Sequence, residues 1–289
     1  MRRLYPIRLR GSRAVLGERT WVMGVLNVTP DSFSDGGRFA DAAAAVDHGL
    51  ALFEAGADVV DVGGESTRPG GSAAVSAAEE CRRVVPVIRG LRDRGAGPLS
   101  VDTTKASVAR AALDAGADIV NDVSGFTFDP GMAGLVAERR VPAVLMHLRG
   151  NFRDMHRDPH YADVVTEVRN ELRDRLDCIE KAGIDLGQII VDPGLGFAKD
   201  AGHSLAVLRR LPELAELDRP LLVGPSRKRF IGRALAAEGG TEAPVEDRLM
   251  GTAAAVAACI LAGAHVVRVH DVREMVQVAR VCDAILAGR

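Results

Sequence analysis

The sequence lacks three features that would place it in a specialised class of protein: paired cysteines, a charge of one sign and a long apolar run. Its four cysteines fall in segments of helical periodicity without CxxC spacing, which predicts reduced thiols rather than disulfides or a metal site. A formal net charge of −2 leaves no broad basic surface for a nucleic acid or an acidic membrane. No run is apolar enough to cross a bilayer, and the basic N-terminus lacks a signal peptide's apolar core. We therefore expect a cytoplasmic protein that binds small molecules, and neither nucleic acid nor membrane.

Two further absences bear on the fold. No GxGxxG turn follows the first apolar run and no Walker A motif is present, although either would accompany a nucleotide bound to a doubly wound open sheet. No linker rich in Pro, Gly and Ser interrupts the chain, and its composition does not change along its length. A doubly wound sheet is thus the alternative fold, and one domain is favoured over two.

A phrase that consists of a helical end, a glycine turn and a β-branched run recurs along the chain. Four other short apolar runs lie between its copies, which gives eight candidate strands. The copies start at residues 54, 114, 181 and 261, and the other runs start at residues 21, 98, 142 and 220.

Segments of helical periodicity alternate with these candidate strands, which is the pattern of parallel β/α units. Eight units in this length predict an α/β fold, a (β/α)8 TIM barrel over residues 21–289. Residues 1–20 form an N-terminal extension, which we expect to be a short hairpin at the barrel floor. The clearest helical segments are residues 40–55, 76–94, 105–115, 161–182 and 245–262.

Polar residues follow almost every candidate strand. A single Asp or Asn at such a position is as often a helix cap as a functional group. In a TIM barrel, however, the carboxyl ends of all strands meet at one rim, where active sites form. The strand-end residues are Asn27, Glu65, Thr67, Arg68, Asp102, Asn121, Asp122, His147, Asp192, Ser226, Lys228, Arg268 and His270.

The chemistry of this set suits a polar heterocycle joined to an anion. Asp102, Asn121 and Asp192 offer acceptors, and Asn121 also a donor, for the edge of an aminopyrimidinone ring. Lys228 and Arg268 follow the seventh and eighth strands, where barrels frequently bind phosphate. A solvated basic stretch is the alternative interpretation of the SRKRF segment.

Two loops rich in Gly, Pro and Ser follow the first two strands, NVTPDSFSDGG from residue 27 and GGESTRPGG from residue 64. Such loops are often plain connectors. Here Phe33 and Arg68 could contact an aromatic carboxylate, which favours a functional role.

An ordered series of motifs covers nearly the whole chain beyond residue 20 and resembles that of the bacterial dihydropteroate synthases. The first, the second and the SRK-containing motifs are the most specific. The series is MGVLNVTPDSFSDGG (23–37), DVGGESTRPG (61–70), SVDTTK (100–105), IVNDVSG (119–125), VLMH (144–147), VDPGLGF (191–197), VGPSRKRFIG (223–232) and VRVHDV (267–272).

The resemblance implies a transferase that joins p-aminobenzoate to a dihydropterin methyl diphosphate with Mg²⁺, which Asn27 helps to bind. It implies a p-aminobenzoate subsite, where sulfonamides compete in this family, and a homodimer formed through helices such as the alanine-rich segment 250–264. Catalytic roles fall on Lys228, Asp192, Arg268, His270, Asp102 and Asp35. The pterin diphosphate would contact Asn27, Thr67, Asp102, Asn121, Asp192, Lys228, Arg268, Val269 and His270. The p-aminobenzoate subsite would comprise Phe33, Thr67, Arg68, Pro69, Phe197 and Ser226.

Two alternatives to the synthase remain open, a corrinoid methyltransferase that binds a pterin and a catalytically silent pterin-binding relative. The fifth loop, LRGNFRDMHRDPH from residue 148, departs from the family pattern, so its contacts stay undefined. His156 and His160 have a spacing that binds metal on a helix, but Pro159 argues against a helix there.

Overall fold

The computed structural model describes residues 2–29, 38–65, 75–152, 155, 159–236 and 240–288, with the backbone alone for residues 38–41. The strands are β1 Tyr5–Leu9, β2 Ser12–Leu16, β3 Trp21–Asn27, β4 Val59–Gly63, β5 Leu99–Asp102, β6 Ile119–Asp122, β7 Ala143–Met146, β8 Ile189–Asp192, β9 Leu222–Val223 and β10 Val266–Val269. The α-helices are α1 Arg38–Glu54, α2 Ala77–Asp93, α3 Ala106–Ala115, α4 Gly131–Arg139, α5 Val164–Lys181, α6 Ala201–Arg209, α7 Arg229–Leu235, α8 Leu249–Leu261 and α9 Val272–Leu286.

Eight parallel strands form a closed ring. Their order is β8-β7-β6-β5-β4-β3-β10-β9, so the first and last strands of the repeat, β3 and β10, lie side by side. The ring closes between β8 and β9, where Val191 pairs with Leu221 in a parallel bridge and Val191 N donates to Pro220 O at 2.9 Å. This arrangement confirms the (β/α)8 barrel and excludes the doubly wound sheet.

Side chains of each strand alternate between the outer core and the barrel interior. In β4, Val60 and Val62 pack in the outer core with the helices, while Val59 belongs to an inner apolar layer. Asp61 therefore faces inward, one layer nearer the carboxyl rim than Val59. The inner apolar layer takes one or two residues from almost every strand, namely Trp21, Met23, Val59, Ile119, Val144, Ile190, Leu222 and Val266.

The predicted N-terminal hairpin is confirmed. Strands β1 and β2 pair antiparallel from Tyr5↔Leu16 to Leu9↔Ser12. Ile7, 1% exposed, packs against the inner apolar layer. The backbone N–H of Arg10 donates to Asp118, just before β6, at 3.0 Å. The hairpin thus seals the amino-terminal end of the barrel and leaves the carboxyl rim for ligands.

Capping side chains set the start of several helices. The side chain of Asp163 accepts a hydrogen bond from Thr166 N at 2.8 Å, so α5 begins at residue 164, three residues later than the periodicity predicts. Asp200 accepts from His203 N at 2.7 Å at the start of α6. All four cysteines are free thiols, as expected. Within the described ranges, the helices are too short or too polar to cross a membrane.

We expect Ile7→Ala to lower the free energy of unfolding by about 2 to 5 kcal/mol, because the shorter side chain leaves a cavity in the inner apolar layer. Urea unfolding followed by circular dichroism measures the change. Leu4→Ala, which shortens a side chain that is 54% exposed, is the matched control and should change stability little. Equal losses in the two variants would contradict a sealing role for the hairpin.

Candidate active site

A hydrogen-bonded cluster from four strands lies inside the barrel, above the inner apolar layer. Arg268 on β10 donates through Nε to Asp61 Oδ2 and through Nη2 to Asp102 Oδ2, each at 2.7 Å. Asn121 on β6 donates through Nδ2 to the same Asp61 oxygen at 2.8 Å. The Arg268 guanidinium and the Asp61 carboxylate therefore join side chains of β4, β5, β6 and β10.

Asp61 is a member of this cluster that the strand-end pattern did not predict. It is fully buried, and its Oδ1 has no hydrogen-bond partner among the residues that the structure describes. A charged residue in the middle of the apolar run VVDVG was the available signal, because buried carboxylates are rare unless they are paired. The free oxygen can accept a hydrogen bond from a ligand or a water molecule.

Burial shifts the protonation of the acidic groups in this cluster. It raises the pKa of Asp102 to about 7, an effect that Arg268 opposes and the nearby Asp61 carboxylate strengthens. Burial likewise raises the pKa of Asp192, against the attraction of Lys228. Positive charge brought by a ligand would favour the ionised form of both groups.

The two cations respond to burial differently. Burial lowers the pKa of Lys228 to about 8, although the Asp192 carboxylate acts in the opposite direction. For Arg268, the lowering by burial is outweighed by Asp61 and Asp102, so its pKa is raised. Arg268 is thus a permanent cation, whereas Lys228 can exchange a proton near neutral pH.

The loop that follows β8 brings Asp192, Lys228 and Phe197 together. Asp192 Oδ1 accepts from Gly194 N at 2.7 Å, and Lys228 Nζ donates to the carbonyl oxygen of Leu195. The same ammonium lies 4.8 Å from the centroid of the Phe197 ring. Gly194 has φ 65°, and a Cβ there would overlap the backbone carbonyl of the residue after β7, so the turn requires glycine.

Ser226 and His270 are in contact at the ends of β9 and β10. Ser226 Oγ accepts from His270 N at 3.2 Å and lies 3.0 Å from Nδ1 of the ring. The serine hydroxyl therefore contacts His270 through both its backbone and its ring. Val269 packs in the outer core, so only its backbone could reach a ligand.

Asn27 ends β3, half-buried and opposite Gly63 of β4. Among the residues that are described, no group of three acidic, histidine or cysteine side chains could hold a metal ion by itself. Mg²⁺ commonly keeps several waters and takes few protein oxygens together with substrate phosphate oxygens. One amide oxygen at the rim fits that mode of binding.

Three strand-end residues turn away from the cluster and stabilise loops. Asp122 Oδ1 accepts from the backbone N and the hydroxyl of Ser124 at 2.8 and 2.7 Å. Glu65 pairs with Lys105 at 2.5 Å, and the buried His147 contacts Lys199 and Glu171 through its two ring nitrogens. The placement of six predicted residues stays a prediction because they lie outside the described ranges. They are Phe33, Asp35, Thr67, Arg68, Pro69 and His156.

We expect Asp102→Asn to stabilise the ligand-free protein, and more so at pH 8 than at pH 5. The folded pKa of about 7 lies above the unfolded value, so the carboxyl costs stability as pH rises from about 4 to about 7. Urea unfolding of both proteins at the two pH values tests this. Asp174→Asn, at an exposed position of α5, is the control. A pH-independent difference between wild type and Asp102→Asn would contradict the assignment.

Comparison with known proteins identifies the family. The pterin binding enzyme family matches residues 23–270. A dihydropteroate synthase of Mycobacterium leprae is 51% identical over 266 residues, 92% of this chain and 93% of the relative.

Two solved structures of a dihydropteroate synthase from Xanthomonas albilineans have the same fold. One contains 4-aminobenzoic acid, with a TM-score of 0.89, 46% identity and coverage of 99% of each chain. The other contains 7,8-dihydropteroate, with a TM-score of 0.86, 44% identity and coverage of 98% of this chain and 99% of that one. The chain belongs to the dihydropteroate synthase family of pterin-binding enzymes.

Proposed function

We propose that the protein is a transferase that condenses p-aminobenzoate with (7,8-dihydropterin-6-yl)methyl diphosphate, which gives 7,8-dihydropteroate and diphosphate in tetrahydrofolate biosynthesis in the cytoplasm. The observation that carries the proposal is the largely buried cluster of carboxylates, an amide and cations at the carboxyl end of the barrel. Its members are Asp61, Asp102, Asp192, Asn121, Lys228 and Arg268.

The pterin is bound inside the barrel by Asp102, Asn121, Asp192 and Lys228. The aminopyrimidinone edge presents several N–H groups, which the two carboxylates accept, and a carbonyl, to which an amide or ammonium donates. Lys228 uses one proton on Leu195 O and has two others to donate.

The diphosphate is held at the rim by Arg268, His270, the backbone of Val269 and Asn27. Arg268 contacts Asp61 and Asp102 through Nε and Nη2, so its Nη1 hydrogens can point to the leaving group. His270, whose Nδ1 contacts the Ser226 hydroxyl, can donate a ring N–H to a phosphate oxygen. Asn27 would help to hold Mg²⁺ at this position, and the ion would supply positive charge to the leaving group.

The reaction follows a dissociative order of steps. The bond from the pterin methylene carbon to the diphosphate oxygen breaks first, and the electron pair leaves with diphosphate. The cation left on the pterin is stabilised by Asp102 and Asp192. Asp61 is joined to Asp102 through the guanidinium of Arg268. The amine nitrogen of p-aminobenzoate then bonds to the methylene carbon and loses a proton.

The p-aminobenzoate subsite lies at the mouth of the barrel. Phe197 offers an aromatic wall, and Ser226 offers a hydroxyl next to His270. We assign Asp35 a role at the reacting centre, where exclusion of water protects the cation. The remaining residues of the subsite are Phe33, Thr67, Arg68 and Pro69, with Thr67 shared by both substrates.

We expect the purified protein to release diphosphate from the pterin substrate only with p-aminobenzoate and magnesium present. Lys228→Ala and Arg268→Ala should each lower turnover on the order of 10²- to 10³-fold, because each removes a preorganised charge. Lys181→Ala, at an exposed position, is the control.

Two other results would reject the assignment as a synthase. Tight pterin binding without diphosphate release would identify a silent relative, and methyl transfer from a methylated pterin to a corrinoid would identify the methyltransferase. Wild-type turnover in either alanine variant would refute the assignment of these residues.

A homodimer is also part of the proposal. Helices α8 and α9 pack side by side and expose Met250 (78%), Val281 (60%) and Ile285 (59%), which are apolar side chains that an interface could bury. A second copy of the chain would cover them.

We expect sedimentation to show a dimer for the wild type and a monomer for Met250→Asp/Val281→Asp, because two buried, unpaired carboxylates would oppose association. Val245→Asp, at an exposed position before α8, is the control. A wild-type monomer would contradict the proposed assembly.

A further inference from the structure

A buried lysine that the proposed reaction does not use ends the loop after β8. Lys199 is 3% exposed, and its Nζ has three acceptors: His147 Nδ1 at 2.8 Å, Phe197 O at 3.0 Å and Gly194 O at 3.2 Å. An ammonium has three donors and a neutral amine two, so the three acceptors match the charged form. Burial, in contrast, lowers the pKa of Lys199 well below its usual value, against the attraction of Asp192.

His147, at the end of β7, joins this lysine to the protein surface. Its side chain is 0% exposed, and its Nε2 lies 3.0 Å from Glu171 Oε2 on α5. Burial, together with the Lys199 charge, lowers the pKa of His147 to about 3, so the ring is neutral. Nδ1 then accepts from Lys199 and Nε2–H donates to Glu171, which fixes the tautomer. Glu171, His147 and Lys199 thus form one polar chain.

The loop of residues 193–199 depends on side chains for its shape. Gly194, Gly196 and Ala198 all have positive φ, at 65°, 74° and 48°, and Ala198 is a residue that rarely adopts this conformation. Side-chain donors hold four of its carbonyl groups. Lys199 binds those of Gly194 and Phe197, Lys228 that of Leu195, and the Tyr161 hydroxyl that of Ala198 at 2.9 Å.

Phe197 lies between the two lysines. Lys228 is 4.8 Å from its ring centroid, and Lys199 holds its carbonyl oxygen. Asp192, in contrast, is part of β8 and is placed by the sheet itself. A change at Lys199 should therefore displace Phe197 more than it displaces the pterin-binding side chains that belong to strands, Asp102, Asn121 and Asp192.

We propose that Lys199, held by His147 and Glu171, is a positioning residue for the p-aminobenzoate half of the reaction. It fixes the loop of residues 193–199 so that the Phe197 ring forms a wall of the arylamine subsite. The inference rests on the proposed function, since it concerns where Phe197 stands relative to p-aminobenzoate. Lys199 touches neither reacting atom and acts through Phe197.

Lys199→Met removes the ammonium and keeps the length of the side chain. We expect the KM for p-aminobenzoate to rise on the order of 10- to 100-fold, because small misplacements of a positioning group have effects of this size. The dissociation constant of the pterin substrate, measured by calorimetry, should stay close to that of the wild type. Lys181→Met, at an exposed position of α5, is the matched control and should change neither quantity.

Glu171→Gln tests the other end of the polar chain. Its side chain is 31% exposed and glutamine still accepts from His147, so the protein should fold even if Lys199→Met does not. We expect the KM for p-aminobenzoate to rise less than in Lys199→Met, and the dissociation constant of the pterin substrate to stay close to that of the wild type. In the double variant the two effects should be less than multiplicative, because both act through one chain of contacts.

The proposal is overturned if folded Lys199→Met keeps the wild-type KM for p-aminobenzoate, or loses affinity for both substrates equally. If Lys199→Met is unfolded, an unchanged KM in Glu171→Gln overturns it. A wild-type protein that makes no dihydropteroate from the two substrates refutes the proposed function instead, before either variant is measured.

Discussion

Arg268 spans the interior of the barrel from β10 to the carboxylates of β4 and β5, and the rest of the polar site depends on this contact. Its two hydrogen bonds hold Asp61 and Asp102, and Asp61 in turn holds Asn121. Arginine suits the position because its planar fork reaches two partners and stays protonated when buried. A lysine at position 268 would offer a single point charge without the planar fork that reaches both carboxylates.

The ligand-free site contains buried carboxyl groups whose hydrogen bonds and charges a ligand can satisfy. Asp61 Oδ1 has no partner among the described residues, and burial raises the pKa values of Asp102 and Asp192. A heterocycle that supplies N–H donors, and later carries positive charge, satisfies these groups. The same carboxyls lower the stability of the ligand-free protein near neutral pH, a common cost of a preorganised site.

The two halves of the proposed reaction are supported by different parts of the fold. Three of the four pterin-binding side chains, Asp102, Asn121 and Asp192, belong to strands, which the outer core and the hairpin at the floor keep rigid. Phe197 belongs to a loop, and buried side chains rather than a sheet place it. Strand positions suit a substrate that is read by several hydrogen bonds. Loop positions suit a second substrate that must enter after the first.

The sequence by itself determined the eight strands, five of the helices and the polar residues at the strand ends, because these follow from local periodicity and turn chemistry. The motif series was also sufficient to indicate the correct family. Only the tertiary structure decided which strand-end residues meet. Asp61 belongs to the cluster, while Asp122 and His147 turn outward, because alternation along short strands and the register between them select the face. The role of Lys199 depends on its contact with His147, which is 52 positions away, and no local pattern encodes such a contact.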